Sequence, residues 1–123
     1  MATYGYVRKN FPTSEVEQLT KLLTYNCDEL FFEGKSLLET SELKAMIEKL
    51  EKNDLVVVTH LHVFGQELQH LRPVISFFQE NGIRLISIDD QVDTNRDSFF
   101  YPLFDIFSKM DADCREELEN NNT

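Results

Sequence analysis

"LVVVTHL", residues 55 to 61, is an unbroken apolar and β-branched run entered from the turn residues Asn53 and Asp54. A run without alternation reads as a strand buried on both faces, as strands are in a parallel sheet covered by helices. Upstream, residues 3 to 8 read as a first strand and "DELFF" at 28–32 as a second. Between them a helix starts at Thr13 or Ser14, because Ser14 followed by Glu17 forms a capping box. Val16, Leu19, Leu22 and Leu23 supply its apolar stripe. "EGKSLLET" is a loop, and Thr40 or Ser41 opens a second helix carrying Leu43, Met46, Ile47 and Leu50.

Downstream, "FGQELQHLRPVISFFQENG" predicts a short helix and then a longer one, with Pro73 in the first turn of the second piece. Gly82 ends it, "IRLISI" is another core strand, and "DDQVDTNRDS" is a polar loop. A C-terminal helix is expected over residues 97–119, with residues 120–123 frayed. Strands alternating with helices give an α/β domain spanning 1–123, a mostly parallel four- to five-stranded sheet with helices on both faces.

Composition narrows the function classes. The chain has 123 residues, 41% hydrophobic and 28% charged, which suits one soluble globular domain. No apolar run approaches the ~18 residues of a membrane span, and the N-terminus lacks the pattern of a signal peptide. With two cysteines, Cys27 and Cys114, a cytoplasmic protein without a disulfide framework is expected. Twelve Lys and Arg against 22 Asp and Glu leave a net charge of −10. Binding to a DNA duplex draws on neutralised phosphates, so this charge argues against direct DNA binding. Arg8–Lys9 is the only adjacent basic pair.

Ligands of an open parallel sheet bind beyond the carboxyl ends of its strands. There the sequence offers Arg8, Lys9 and Asn10 after the first strand: two cations and an amide. The four glycines, at 5, 34, 65 and 82, make neither a GxGxxG nor a GxxxxGK[ST] motif. His60 and His62 alternate along the central strand and His70 follows, but no Cys or carboxylate stands at ligand spacing. Asp89, Asp90 and Asp93 read as a solvated loop rather than a cation site. No metal and no cofactor is expected.

Taken in order, "YGYVR", "EQLTKLL", "NDLVVV", "FGQELQHL" and "NGIRLISIDDQVDT" resemble the catalytic domain of the resolvase/invertase serine recombinases, over roughly residues 4 to 119. The resemblance implies that fold, with the final helix as a dimerisation helix. In that family a serine stands two positions after the first-strand arginine and attacks the DNA phosphate; here that position is Asn10. Its Asp-Arg-Leu-Gly-Arg motif aligns with His62–Val63–Phe64–Gly65–Gln66, a further arginine with Thr40, and the Asp-Lys-x-Ser-Gly loop with "EGKSLLE". Arg8, Asn10, Gln18, Gly65 and Gln66 are thus expected to be the remnant of a site, and the protein not to be an enzyme. The helix-turn-helix domain of many members is expected to be missing, and the tail "DADCREELENNN" is acidic where the family is basic.

The final helix carries more large apolar residues than one small core can face. Phe99, Phe100, Leu103, Phe104, Phe107 and Met110 are therefore expected to form an interface. The partner would be a second copy or another protein, such as a recombinase or other DNA-binding protein that this chain regulates or antagonises. The other class is a DNA-binding transcriptional or architectural factor. The family resemblance suggests a phage, plasmid or mobile-element setting.

Overall fold

The computed structural model describes residues 1–36 and 38–121, with side chains described as far as residue 116. Five strands, β1 (Thr3–Arg8), β2 (Glu29–Glu33), β3 (Leu55–Val58), β4 (Arg84–Ser87) and β5 (Val92–Asp93), form one sheet in the order β2-β1-β3-β4-β5. The first four are parallel and β5 pairs antiparallel with β4. Among the described residues there are four α-helices: α1 (Glu15–Leu22), α2 (Ser41–Lys49), α3 (Leu68–Glu80) and α4 (Phe100–Asn121).

The β3 run behaves as its composition demands. Val56 and Val58 join the larger core, under α2, α3 and the start of α4, whereas Val57 faces the smaller core with Leu22 of α1. All three valines are fully buried, each contributing roughly 1.5–3 kcal/mol by leaving water. Asp54 ties the strand's entry to β1: its buried carboxylate accepts the Ala2 N–H at 2.9 Å and the Glu51 N–H at 2.8 Å. Asn53 turns the chain there with φ +75°, a conformation asparagine tolerates better than most residues.

Ser14 caps α1, accepting the Glu17 N–H at 3.2 Å. Other elements differ from the sequence expectations. The segment 64–82 forms one helix, not two, and Pro73 lies inside it. Pro73 is exposed, so the carbonyl that loses its N–H partner can turn to water. What precedes α3 is a 3-10 turn at Leu61–Val63. The polar loop after β4 contains β5, whose Thr94 N–H donates to the Leu85 carbonyl at 3.0 Å. The last helix begins at Phe100, later than residue 97. Asp97 closes a turn instead, its carbonyl accepting the Phe100 N–H at 2.9 Å and its carboxylate the Asp93 N–H at 3.0 Å. α4 continues through Asn121 where fraying was expected from 120; residues 122 and 123 lie outside the described residues. Among the described residues no helix is long and apolar enough to cross a membrane.

Candidate functional site

Tyr6 and Arg8, two apart on β1, point to the same face of the sheet, beneath α2 and α3. Arg8 is fully buried and its guanidinium is turned inward. Nε donates to the Val63 carbonyl at 2.8 Å, and Nη1 reaches the carbonyls of Gly34, Ser36 and Glu39 at 3.0, 2.6 and 3.1 Å. Nη2 donates to the Tyr6 hydroxyl at 2.9 Å, which donates to Glu33 Oε2 at 3.1 Å. The same carboxylate oxygen accepts the N–H groups of Glu42 and Leu43, each at 3.0 Å, in the first turn of α2. A buried chain Arg8–Tyr6–Glu33 therefore joins β1, β2, the loop after β2 and the N-terminus of α2. Burial drives the Tyr6 phenol far above its ordinary pKa, and nearby Glu33 adds to the effect against the pull of Arg8. Tyr6 stays protonated and can keep donating.

Gln18, equally buried, closes the other side. Its Oε1 accepts the Arg8 N–H at 3.2 Å, and Nε2 donates to the carbonyls of Arg8, Phe11 and Thr13 at 2.8, 3.0 and 2.9 Å. Asn10 is exposed just beyond this clamp with φ +52°. Gly65 is buried at the entry to α3, where a Cβ would stand 2.6 Å from the His70 Cβ; Gln66 is exposed. Thr40 precedes α2 without a side-chain capping bond.

Of the residues expected to form one site, the structure brings Arg8 and Gln18 together through direct bonds. Tyr6 and Glu33 complete the network and were missed by the sequence reading. The available signal was the i, i+2 spacing of Tyr6 with Arg8 and of Phe31 with Glu33, together with the parallel register that places Arg8 opposite Glu33.

A second polar cluster lies past the ends of β3 and β4. The Asp89 carboxylate receives Lys21 Nζ at 2.6 Å and stands 3.1 Å from His60 Nε2, while His60 Nδ1 lies 3.0 Å from the Thr59 hydroxyl oxygen. Asp90 accepts the Leu61 N–H at 2.8 Å and the Ser87 hydroxyl at 2.6 Å. Asp93 takes Arg84 in a two-pronged pair at 2.9 and 2.6 Å. His60 and His62 do not alternate along a strand: β3 ends at Val58 and His62 sits in the 3-10 turn. Among the described residues no group of three or more His, Cys, Asp or Glu is placed to hold a metal ion.

On α4 the apolar residues divide by angle. Phe100, Tyr101 and Phe104 pack against the larger core, and the Tyr101 hydroxyl donates to the Ile83 carbonyl at 2.9 Å. Leu103, Ile106, Phe107 and Met110 remain 49–55% exposed on the other side, and Phe99, just before the helix, is 75% exposed. Two residues expected at an interface, Phe100 and Phe104, thus serve this chain's own core. Ile106 joins the exposed set.

The family model of the resolvase N-terminal domain matches residues 4–121. The serine recombinase Gin of Escherichia phage Mu is 27% identical over 114 residues, covering 89% of this chain and 59% of that protein. The Tn917 resolvase of Enterococcus faecalis is 28% identical over 123 residues, covering 96% and 67%. The DNA-invertase of Escherichia phage P1 is 28% identical over 115 residues, covering 89% and 61%. The chain spans somewhat under two thirds of the phage recombinases it matches. In shape it resembles the N-terminal catalytic domain of TP901-1 integrase, with TM-score 0.74 at 17% identity, covering 91% of this chain and 97% of that one. A resolvase family site-specific recombinase from Streptococcus pneumoniae gives TM-score 0.73 at 12% identity, covering 98% and 93%.

The expectation that the chain is not an enzyme is overturned by these relatives, which are named recombinase, resolvase and invertase and are enzymes. An amide at position 10 does not establish inactivity.

Proposed function

The chain belongs to the family of the resolvase N-terminal domain, and from that premise we propose that it serves in DNA recombination as a domain that joins protein chains through α4. The partner is in the first place a second copy of this chain. Another DNA-associated protein can use the same face, and binding it would regulate that protein. The observation that carries this reading is the exposed row Leu103, Ile106, Phe107 and Met110. At 100° per residue these four fall on one side of α4, facing away from Tyr101, which helps seat the helix on its own core. A patch of this kind on a domain surface marks an interaction site. The net charge of −10 favours a basic partner surface, such as that of a DNA-binding protein, and speeds its encounter.

Direct contact with DNA is the second reading, favoured by the names of the relatives. With this charge it would depend on a few clustered cations and weaken steeply with salt.

A pull-down from nuclease-treated host lysate, comparing the wild-type chain with a Leu103→Ser/Phe107→Ser variant, tests the reading. A DNA-associated protein, or untagged copies of the chain itself, should be retained by the wild type and lost from the variant. Equal recovery by both would remove α4 from the account.

A further inference from the structure

The two edges of the sheet end differently. β5 has only two residues and runs straight into the turn that Asp97 closes. β2 has five, Glu29–Glu33, and among the described residues no strand pairs with its outer edge. Its register with β1 is unbroken, and Glu33 turns its carbonyl to β1, accepting the Lys9 N–H at 3.0 Å. Alternation along the strand then turns the peptide groups of Leu30 and Phe32 outward. No proline, lysine or bulge within β2 blunts them, although natural sheets guard exposed edges with such devices.

An apolar shelf adjoins this edge. Leu30 packs with Leu22 of α1, so Leu30 and, two residues on, Phe32 lie on the α1 face of the sheet. Phe32 is 45% exposed. Lys21 reaches Asp89, beyond β4, at 2.6 Å, which turns the opposite flank of α1 toward β2. At 100° per residue that flank carries Glu15, Leu19 and Leu23. Leu23 is more exposed than Phe32. The charge beside the shelf is acidic: Asp28 is exposed just before β2, and Glu15 opens α1. Lys49 is already held by Glu29 at 2.8 Å and lies over the Phe31 ring, on the α2 face. Lys9 and Lys35 follow the C-terminal ends of β1 and β2.

We propose that the outer edge of β2 binds an extended segment of another protein, one in which apolar residues alternate with lysine or arginine. Its backbone pairs with the peptide groups of Leu30 and Phe32, its apolar side chains rest on Phe32 and Leu23, and its cations meet Asp28 and Glu15. A second copy of this chain does not suit the edge. Two β2 strands paired about a twofold axis would set Glu29 against Glu33 of the other copy, like charges directly opposite each other. The surface lies on the α1 face and is separate from the exposed row of α4, so the proposal stands apart from that row.

The test is titration with the capped peptide Lys-Val-Lys-Phe-Lys-Val-Lys, followed by NMR shifts and by hydrogen exchange at the Leu30 and Phe32 amides. The comparator is the same peptide with glutamate in place of every lysine. Saturable binding of the basic peptide is expected, with exchange at the two amides slowed at least about tenfold and affinity about tenfold lower in Phe32→Ser. Leu103→Ser/Phe107→Ser should bind the peptide as the wild type does. Phe32 is partly exposed, so Phe32→Ser should keep the wild-type circular dichroism; if it does not, amide protection in the wild type decides. The proposal is overturned if binding leaves the Leu30 and Phe32 amides unprotected, if the acidic peptide binds as tightly, or if a folded Phe32→Ser binds as the wild type does. Protection of these amides that rises with protein concentration alone would overturn it too, by placing a second copy on the edge.

Discussion

Gln18 and Arg8 hold each other through paired bonds. The Gln18 amide oxygen accepts the Arg8 N–H at 3.2 Å, and its Nε2 donates to the Arg8 carbonyl at 2.8 Å. The end of β1, where a sheet of this type presents working side chains, is thereby fixed from α1. Replacing Gln18 by Ala would strand a buried N–H and three carbonyls. Roughly 2–4 kcal/mol of stability should be lost in urea denaturation. A midpoint unchanged from wild type would refute the clamp.

Arg8 should prove structural as well. Its side chain reaches five acceptors, and its loss would leave Glu33 buried without the relay through Tyr6. Breaking a buried charged network from one side costs on the order of 3–5 kcal/mol. Arg8→Ala should therefore unfold at much lower denaturant, and Arg8→Lys should recover only part, because an ammonium lacks the planar fork. Full stability in Arg8→Ala would show that the guanidinium is free for another task.

Much of the fold was legible in the sequence, and the reasons for the rest are physical. The β3 valines announce a strand covered on both faces, and Ser14 announces a helix start. Pro73 misleads because the cost of an interior proline depends on which side of the helix it occupies, a tertiary property. β5 consists of Val92 and Asp93 alone, too short for any periodicity, and exists through its pairing with β4. The candidate site was harder to read. Arg8 and Glu33 are charged, and charged residues are ordinarily exposed; their burial depends on a register between strands far apart in sequence. The division of the α4 phenylalanines likewise required knowing which side of the helix meets α3.

Gly65 marks the close approach of the chain to α3. Gly65→Ala would put a Cβ 2.6 Å from that of His70, so the start of α3 must shift. A loss of about 1–3 kcal/mol is expected, with amide-exchange protection weakened at the start of α3. Unaltered protection would show that the turn yields without cost.

Acid should loosen the β4–β5 corner. The hydrogen-bonded Arg84 holds the Asp93 carboxyl below its usual range, and Arg96 with the Asp93 N–H holds that of Asp97 at about 2. Both groups have folded pKa values below their unfolded ones. Their stabilisation is thus complete above the ordinary carboxylate range and disappears as the pH falls through the folded values. Melting followed from pH 5 to 2 should show a steeper loss in the wild type than in Asp93→Asn, which lacks one of the titrating groups. Parallel curves would contradict this assignment.

The most direct test of the α4 account is sedimentation velocity of the wild-type chain and of Leu103→Ser/Phe107→Ser over a wide concentration range. The account predicts a wild type that self-associates with concentration and a variant that stays monomeric while melting at the wild-type temperature, since both replaced residues are about half exposed. A wild type that remains monomeric throughout, or a folded variant that associates equally, would contradict it.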